Sequence, residues 1–491
     1  MAETPILPAV IRGEAVAEPL IPFGGRGGEL TFLAPDPRAI ADRLPLSSPR
    51  LLADLHALRL DEILDFLEEA GKRLHLDRNP YLAEALEWSV HTAPTTRPIL
   101  EGFYRTLPAM FQRERILTWI EHTLGREPLE GWVAHRIGPY SFEVRAYGSR
   151  AVHIVAGNGP TLGALTILRG AVTRSDTLIK VPSNDPFTTV AIARTLLEID
   201  PRHPVVRHLA VAYWKGGDQA VEERLYRPAC LDKICAWGGF ASVKHVTRYL
   251  RPGLELIALD PKYSVGVVGP GCLADDDAIA EVARRIACDV AVGNQVGCAN
   301  SRKVYVVDGV DEAALARLVR LGHAVYREML ALPETLSTRP KRYDPELAAH
   351  LEACRLLDGY YTVIGGEAGE GAVVVSHSPE AVDFADLLAD RTVNLIPVER
   401  LEDFLAEVDQ STQTIGVWPP AWLEEVSHWG ALAGGQRFVE LGWHLQGPGL
   451  VGPQDGIEPV RRLVRWIVRE RPSPEARPLW ALDPDELKLL A

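Results

Sequence analysis

The sequence predicts an α/β protein built from two domains, each organised around a mostly parallel sheet. The chain has 491 residues, whereas single hydrophobic cores stop growing at roughly 250–300 residues. From residue 151 onward short apolar runs alternate with helical patterns, which is typical of βαβ units and a parallel sheet. The same alternation starts again after residue 261, and we therefore predict a domain boundary there.

The first 150 residues read as an irregular arm followed by helices. Residues 61–74 place apolar side chains on one helical face, and residues 107–124 resemble a second amphipathic helix. Between residues 132 and 147 polar and apolar side chains alternate loosely around a central Gly-Pro pair. That pattern predicts a β-hairpin at 132–147.

The first α/β set runs from residue 151 to the boundary. Its apolar runs have the length of ordinary strands, and segments with helical periodicity separate them. The predicted strands lie at residues 152–156, 177–181, 205–212, 233–237 and 255–259, and helices are predicted at 186–199 and 240–250.

The second α/β set contains a well-marked helix at residues 275–292. Acidic residues begin it, which suits the positive end of the helix dipole, and its apolar residues form one stripe. Strands are predicted at 264–269, 303–307, 371–376, 392–398 and 414–417, and further helices at 312–332 and 460–469.

Composition excludes several classes of protein. Apolar residues make up 47% and charged residues 24%, and the net charge is −14, which argues against a general binder of nucleic acid or anionic membranes. The most apolar stretch, 151–168, is interrupted by polar residues and proline, so we predict no membrane span. Six cysteines without metal-binding spacing predict neither a disulfide framework nor a metal site. Because the N-terminus lacks the features of a signal peptide, we expect a cytoplasmic protein.

Cys298 is the first candidate for chemistry. It lies in a loop of small and polar residues between the helix predicted at 275–292 and the strand predicted at 303–307. A thiol on a glycine-flanked loop is open to substrate, and a thiolate is a strong nucleophile near neutral pH. The alternative is a small buried hydrophobic side chain, which is our interpretation of Cys230, Cys235, Cys272, Cys288 and Cys354.

Asn158 is the second candidate. It follows the strand predicted at 152–156 in a tight Gly157-Asn158-Gly159 turn. An amide N–H aimed into the cleft at the carboxyl end of such a strand could stabilise a developing oxyanion. The alternative is a turn residue that satisfies its own backbone. The segment is not a dinucleotide fingerprint, because position 162 is Leu rather than the third Gly.

Lys180 lies in a short apolar strand and emerges near its carboxyl end. There its ammonium group could meet an anion or the hydroxyls of a ribose. Most lysines are simply solvated, so Lys180 alone is weak support for a binding site.

These segments together resemble the aldehyde dehydrogenase superfamily. The turn at Asn158 is similar to its Pro-Trp-Asn-Phe-Pro segment, and residues 179–182 are similar to its Leu-Lys-Pro segment. Residues 237–241 are similar to its Phe-Thr-Gly-Ser-Thr turn, and residues 294–298 to its cysteine loop. Order and spacing agree over most of the chain.

Within the superfamily the sequence resembles the long-chain acyl-CoA reductase family, which includes the reductase component of the bacterial bioluminescence fatty-acid reductase. The resemblance rests on Pro-x-x-Ile-Arg-Gly-Glu from Pro8, on Asp390-Arg391-Thr392-Val393-Asn394, and on Pro453-Gln454-Asp455-Gly456. It spans about residues 8–470.

The resemblance implies a fold and a set of site residues. The fold is two parallel-sheet α/β domains with a cofactor and substrate cleft between them and a small oligomerisation hairpin at 132–147. Cys298 is the implied nucleophile and Asn158 the implied oxyanion donor, with no metal. The implied cofactor-binding residues are Ala156, Gly157, Lys180, Ser183, Gly239 and Asp390.

The sequence departs from the superfamily in three places. Ala258 falls about where hydrolytic members carry the Glu that activates water. The Glu-x-Phe-Gly-Pro motif is absent, and Asp390 is only a loose counterpart. Cys298 and Arg302 are four residues apart, whereas many relatives have five.

The missing Glu favours thioester chemistry, because a thiol needs no activated water to accept or release an acyl group. We therefore expect NADPH-dependent reduction of a long-chain fatty acyl thioester to the aldehyde through an acyl-Cys298 intermediate. The acyl donor is acyl-CoA or an acyl carrier, with an acyl-protein synthetase as a possible partner in this family. One alternative is an NAD(P)-dependent aldehyde dehydrogenase that forms acid or acyl-CoA, with Glu255 as the nearest candidate base. Another is a non-catalytic assembly partner.

NADPH is preferred because Ser183 occupies the position at which NAD-dependent relatives carry a Glu that binds the adenosine ribose. A Glu there would repel a 2′-phosphate, whereas a Ser can donate a hydrogen bond to it. Asp185 leaves NADH open, because a two-residue shift would return a carboxylate to the ribose.

The resemblance also implies assembly and a division of the chain. We expect a homodimer or homotetramer that pairs through the hairpin at 132–147. We expect residues 1–261 to form the arm and the cofactor domain, residues 262–438 the catalytic domain, and residues 439–491 a C-terminal segment that returns to the cofactor and oligomerisation region.

Overall fold

The computed structural model describes residues 4–25, 30–137, 140–446, 452–472 and 477–483. Most of the strands belong to two sheets, each of seven strands, and two smaller sheets accompany them. The strands are β1 (Ala9–Ile11), β2 (Glu14–Val16), β3 (Leu20–Gly24), β4 (Thr31–Pro35), β5 (Val133–Ile137), β6 (Tyr140–Gly148), β7 (Arg150–Ile154), β8 (Asp176–Lys180), β9 (Leu209–Ala212), β10 (Lys233–Trp237), β11 (Glu255–Leu259), β12 (Tyr263–Val268), β13 (Ser301–Val307), β14 (Tyr361–Gly365), β15 (Ala372–Ser376), β16 (Thr392–Val398), β17 (Thr412–Trp418), β18 (Arg437–Glu440) and β19 (Val464–Pro472).

The helices cover the faces of these sheets. They are α1 (Pro37–Ile40), α2 (Ala53–Ala57), α3 (Leu60–Arg73), α4 (Pro80–Thr92), α5 (Arg97–Met110), α6 (Arg113–Thr123), α7 (Arg126–Glu130), α8 (Thr161–Val172), α9 (Phe187–Ile199), α10 (Pro204–Arg207), α11 (Gln219–Leu225), α12 (Phe240–Thr247), α13 (Asp276–Ala291), α14 (Glu312–Ala331), α15 (Pro345–Arg355), α16 (Leu401–Leu405), α17 (Leu423–Ala433) and α18 (Pro459–Leu463). Within the described part of the chain, no helix combines the length and apolarity needed to cross a membrane.

The first large sheet has the strand order β11-β10-β7-β8-β9-β1-β2. Strands β7 to β11 are parallel to one another, so their carboxyl ends meet at one edge of the sheet. Residues of the N-terminal arm extend this sheet, because β1 pairs antiparallel with β9 and β2 pairs antiparallel with β1. The arm is therefore less irregular than its sequence predicted.

The second large sheet has the order β14-β15-β16-β13-β12-β17-β18. Its strands are parallel except for β14, which lies antiparallel at the edge. Helix α13 begins where Asp275 accepts a hydrogen bond from the Ala278 N–H, and its predicted apolar stripe is buried. The boundary predicted at residue 438 falls within β18, which still belongs to this sheet.

The third sheet is antiparallel and has the order β19-β6-β5. Strands β5 and β6 form the hairpin predicted at 132–147, although its central residues 138 and 139 lie outside the described residues. The helix predicted at 460–469 is wrong: α18 ends at Leu463, and β19 then pairs with β6 over nine residues. Over ten residues, the alternation of apolar and polar residues in a strand is hard to distinguish from the apolar spacing of a short helix.

Two other predicted elements are divided in the structure. The helix predicted at 107–124 ends at Met110 and starts again at Arg113, because the backbone of Gln112 is extended. The strand predicted at 205–212 contains only Leu209–Ala212. The residues before it form α10, whose first position is Pro204, where a proline is favoured.

Candidate active site

The loop that carries Cys298 connects α13 to β13 and is held by its own polar side chains. Gly293, Asn294 and Gln295 have φ values of 68°, 55° and 63°, a left-handed stretch that turns the chain out of α13. The Gln295 amide donates to the carbonyls of Ser301 and Thr392 at 2.8 and 2.9 Å and accepts from the Thr392 N–H at 2.8 Å. These bonds offset the unfavourable backbone by fixing the turn to β16.

Asn300 closes the same loop. Its amide nitrogen donates to the carbonyls of Asp289, Val290 and Val292 at 3.0–3.1 Å, which are carbonyls at the end of α13. Its amide oxygen accepts from the Gly297 N–H at 3.0 Å. The orphan carbonyls of a helix end are thereby satisfied, and the loop is drawn against the helix.

Cys298 has a half-buried side chain and lies beside β12 and β17 of the second large sheet. The Ser264 hydroxyl donates to its carbonyl at 2.8 Å, and the Gln413 amide nitrogen lies 3.2 Å from its sulfur. Burial raises the pKa of the thiol, and the negative charge of Asp455 raises it further. The hydrogen bond from Gln413 and the backbone N–H groups of Cys298 and Ala299 lower that pKa in part.

The structure brings Asn158 to the cysteine loop. Asn158 follows β7 at the carboxyl edge of the first sheet, and its amide nitrogen donates to the Val296 carbonyl at 3.0 Å. The Asn184 side chain packs against Gly157, since a Cβ at that position would lie 1.8 Å from the Asn184 Oδ1 atom. Residues more than 130 positions apart, Asn158 and Val296, are thus joined across the cleft.

Sequence reasoning missed Gln413 and the role of Asp455 beside the thiol. The Gln413 amide nitrogen also contacts Asp455 Oδ1 at 2.5 Å. Burial raises the pKa of the Asp455 carboxyl, although Gln413, Lys262 and Arg169 oppose that shift. The only available signal was the Pro453-Gln454-Asp455-Gly456 motif, which supported a family resemblance but gave no contact.

Lys180 lies at the end of β8 in an apolar setting. Its ammonium nitrogen is 5.8 Å from the centre of the Trp214 ring, and the residue is 9% exposed. Burial lowers its pKa to about 8, and the carboxylate of Glu222 opposes that shift. A buried cation of this kind would be stabilised by an added anion.

Ser183 and Asp185 differ in their surroundings. Ser183 shares a hydrogen bond with Tyr213. Asp185 is buried, caps the start of α9 and accepts from the Thr188 hydroxyl at 2.5 Å and from the Ser89 hydroxyl at 3.4 Å. Burial raises its pKa to about 6. Its carboxyl group is thus engaged inside the protein.

The remaining candidate residues lie in three different places. Ala156 and Gly157 lie just after β7, and Gly239 caps the start of α12, with open space where a Cβ would be. Asp390 has a φ of 52° and accepts from the Asp344 N–H at 3.2 Å. It lies two residues before Thr392, which anchors the cysteine loop.

Neither Ala258 nor Glu255 supplies a carboxylate that is placed to activate water. Ala258 packs its methyl group against the core beside the first sheet. Glu255 is at the amino end of β11 and pairs with Lys233 and Arg462, each at 2.7 Å. It is four residues from the carboxyl end of that strand, about 13 Å away.

Comparison with solved structures identifies the fold as aldehyde dehydrogenase-like. The lactaldehyde dehydrogenase of Escherichia coli superposes with a TM-score of 0.71 at 13% identity, covering 96% of this chain and 100% of the other. Aldehyde dehydrogenase 21 of Physcomitrella patens superposes with a TM-score of 0.72 at 11% identity, covering 97% and 100%. The predicted fold class is thereby confirmed.

Comparison with known sequences identifies the family. A long-chain acyl-protein thioester reductase of Photorhabdus luminescens is 31% identical over 427 residues, which cover 85% of this chain and 83% of the relative. The protein of that name from Aliivibrio fischeri is 26% identical over 425 residues, covering 84% and 83%. The family model for acyl-CoA reductase (LuxC) matches residues 55–466. The chain therefore belongs to the acyl-CoA reductase (LuxC) family.

Proposed function

We propose that the protein reduces a long-chain fatty acyl thioester to the fatty aldehyde through an acyl group on Cys298. One observation carries the proposal: the Cys298 loop is joined to Asn158 across the cleft. The sequence resemblance supports it, because Ala258 falls about where hydrolytic relatives carry their water-activating Glu. Two relatives are named long-chain acyl-protein thioester reductases, which supports the substrate class.

The residues around the thiol have separate proposed roles in acyl transfer. The Cys298 sulfur attacks the carbonyl carbon of the acyl thioester, and the donor thiol leaves with the electron pair of the broken C–S bond. Asn158 is the proposed donor to the oxyanion, together with the Cys298 N–H. One hydrogen of the Asn158 amide is donated to the Val296 carbonyl, and the second hydrogen is the one proposed for the substrate oxyanion. Such a donor is typically worth about 10²–10³ in rate.

The cofactor that we propose is NADPH, which supplies a hydride when bound. Lys180 fits an anionic group, because it is a buried cation whose pKa burial has lowered to about 8. Ser183 would donate to a 2′-phosphate, and Gly239 leaves the start of α12 open. Asp185 is turned into the protein and does not oppose that phosphate from the ribose side. Ala156, Gly157 and Asp390 remain proposed contacts.

The donor of the acyl group is tested by mass spectrometry of the intact protein. We expect incubation with long-chain acyl-CoA to add one acyl mass, and NADPH to remove that mass with release of aldehyde. A protein that stays unmodified with every chain length but reduces an acylated carrier protein would make the carrier, or a partner synthetase, the donor. Absence of both reactions would contradict the proposal.

The second candidate is an aldehyde dehydrogenase that releases acid or acyl-CoA. Release of acid requires a carboxylate that activates water, whereas release of acyl-CoA requires only the CoA thiol. Among the described residues, Asp455 is a carboxylate that lies beside the Cys298 thiol. Its Oδ1 atom accepts from Gln413, and its Oδ2 atom is the oxygen that would have to accept a proton from water. Assay of aldehyde oxidation in water against acyl-CoA reduction distinguishes the two functions, and faster oxidation to free acid would favour the second.

We also propose a division of the chain that follows this chemistry. Residues 1–261 would form the arm and the cofactor domain, residues 262–438 the catalytic domain, and residues 439–491 a segment that returns to the first. The contact of Arg462 with Glu255 and the pairing of β19 with β6 support that return. The contact of Asp455 with Gln413 instead joins this segment to the catalytic domain.

A further inference from the structure

A β-bulge directs Gln413 toward the thiol. In the pairing of β12 with β17, Tyr263 lies opposite Thr412, but Val265 lies opposite Ile415, so one additional residue of β17 is accommodated. The Ser264 hydroxyl bridges the irregularity, since it donates to the Cys298 carbonyl at 2.8 Å and accepts from the Thr414 N–H at 3.1 Å. Bulges of this kind redirect side chains and occur next to active sites.

The Gln413 amide nitrogen faces two acceptors at once. It lies 3.2 Å from the Cys298 sulfur and 2.5 Å from Asp455 Oδ1, and Gln413 is 8% exposed. A carboxylate only accepts hydrogen bonds, so the amide nitrogen rather than the amide oxygen must face an ionised Asp455. The second hydrogen of the same NH2 group is then available to the sulfur.

We propose that Gln413 is a catalytic residue that stabilises the thiolate of Cys298, and that Asp455 is the positioning residue that holds the Gln413 amide in its donating orientation. The proposal rests on the proposed function, in which Cys298 is the nucleophile. A hydrogen bond to an ionised acceptor is stronger than one to a neutral thiol, so the amide favours the charged form. The amide thereby opposes the effect of burial, which raises the pKa of the thiol.

Other charged groups interact with Cys298 and Asp455 and therefore also affect the ionisation of the thiol. Arg302 of β13 and Arg437 of β18 interact with the Cys298 charge. Lys262, Arg169 and Asp260 interact with Asp455. Because the Asp455 charge itself disfavours a thiolate, the orienting effect of Asp455 and its charge act in opposite directions. Variants that separate the two effects therefore test the proposal.

The test is the pH profile of Cys298 alkylation by iodoacetamide, followed at that cysteine by peptide mass spectrometry without acyl donor or NADPH. We expect Gln413→Leu to raise the thiol pKa and to slow alkylation at pH 7 about tenfold. Asp455→Asn removes the charge but keeps an acceptor, so its alkylation should be several-fold faster than wild type. Asp455→Leu removes both, so it should be slower than Asp455→Asn.

Gln436→Leu is the matched control, because the Gln436 amide donates to the Gln410 carbonyl at 2.8 Å and its side chain lies beside Gly456. Its profile should equal that of wild type. A wild-type profile for Gln413→Leu, an Asp455→Asn rate no faster than wild type, or equal profiles for the two Asp455 variants would each overturn the proposal. Failure of the proposed function would appear separately, as loss of acylation or reduction with these profiles intact.

Discussion

At the residue scale, the proposed chemistry depends on the sulfur atom of Cys298. Replacing Cys298 with Ala should abolish acylation and aldehyde formation and leave the fold intact, because the loop is held by Gln295 and Asn300 rather than by the thiol. Intact-protein mass spectrometry with acyl-CoA measures this directly. Cys288→Ala is the control, since that half-buried helical thiol should not affect acylation. A stable acyl mass on the Cys298→Ala protein would contradict the assignment.

Asn158 should affect turnover more than binding. Asn158→Ala is expected to lower kcat by about 10²–10³ and to change KM little, because an oxyanion donor acts mainly in the transition state. Steady-state kinetics with acyl-CoA measure both values. Since Asn158 also contacts the Val296 carbonyl, the alkylation rate of Cys298 should be measured alongside as a control for loop position. A loss confined to KM would refute the role.

Ser183 should determine which cofactor is used. Ser183→Glu is expected to move the ratio of kcat/KM values toward NADH, because the added carboxylate repels the 2′-phosphate. The wild-type ratio provides the reference and is itself informative. A tenfold preference of the wild type for NADH, about 1.4 kcal/mol, would contradict this interpretation of Ser183.

At the scale of elements, Arg12 holds the N-terminal hairpin of β1 and β2 to the first large sheet. Arg12 at its turn donates to both Asp176 oxygens, at 2.6 and 3.0 Å, and Asp176 is 1% exposed. Burial raises the pKa of Asp176, but hydrogen bonds from His208 and Arg12 outweigh it and the net pKa is lowered. The arm is therefore fastened to the start of β8 by an ion pair.

Arg12→Met should lower the free energy of unfolding by about 3–5 kcal/mol, because it removes the cation that bonds both oxygens of the buried Asp176 carboxylate. Denaturant unfolding at pH 7 measures the loss. Arg43→Met is the control: Arg43 forms an exposed pair at 2.6 Å with Glu14 of the same hairpin, and that pair should contribute about 0–1 kcal/mol.

The sign of the pH effect follows from the lowered pKa. The contribution of Asp176 is complete above its unfolded pKa of about 3.9 and is lost as the pH falls through the folded value. The difference between wild type and Arg12→Met should therefore narrow in acid. An unchanged difference would indicate that Arg12 acts through packing.

The sequence pattern of neighbouring residues predicted the strands and helices that depend on those neighbours alone. The strands β7, β8, β10 and β16 and the helix α13 are close to their predicted ranges, because periodicity and capping are properties of neighbouring residues. Strand β19 was missed because its partner β6 is more than 300 residues away and nothing near Val464 signals that pairing. Gln413 was missed for a similar reason, since only a bulge in β17 places it at the sulfur.

At the scale of the whole molecule, the third sheet presents exposed apolar side chains. Ile137 is 68% exposed and Val468 is 53% exposed, on the outer strands β5 and β19. Apolar groups on sheet edges are typical of surfaces that associate. We expect a homodimer or homotetramer, and light scattering at micromolar concentration measures it.

Val468→Glu should shift that assembly toward the monomer, because it introduces a charge where a neighbouring subunit would pack. Leu356→Glu is the control, since Leu356 is 85% exposed at the end of α15, away from the third sheet. A wild-type protein that is monomeric at micromolar concentration would refute the expected assembly.

The segment that carries Asp455 continues directly into β19. Only α18 separates the carboxylate that orients Gln413 from the strand that we expect at the subunit interface. If association orders this segment, thiol ionisation and subunit association are linked equilibria, and each changes the equilibrium constant of the other by the same factor. The alkylation rate of Cys298 should accordingly change with protein concentration over the range in which light scattering detects dissociation.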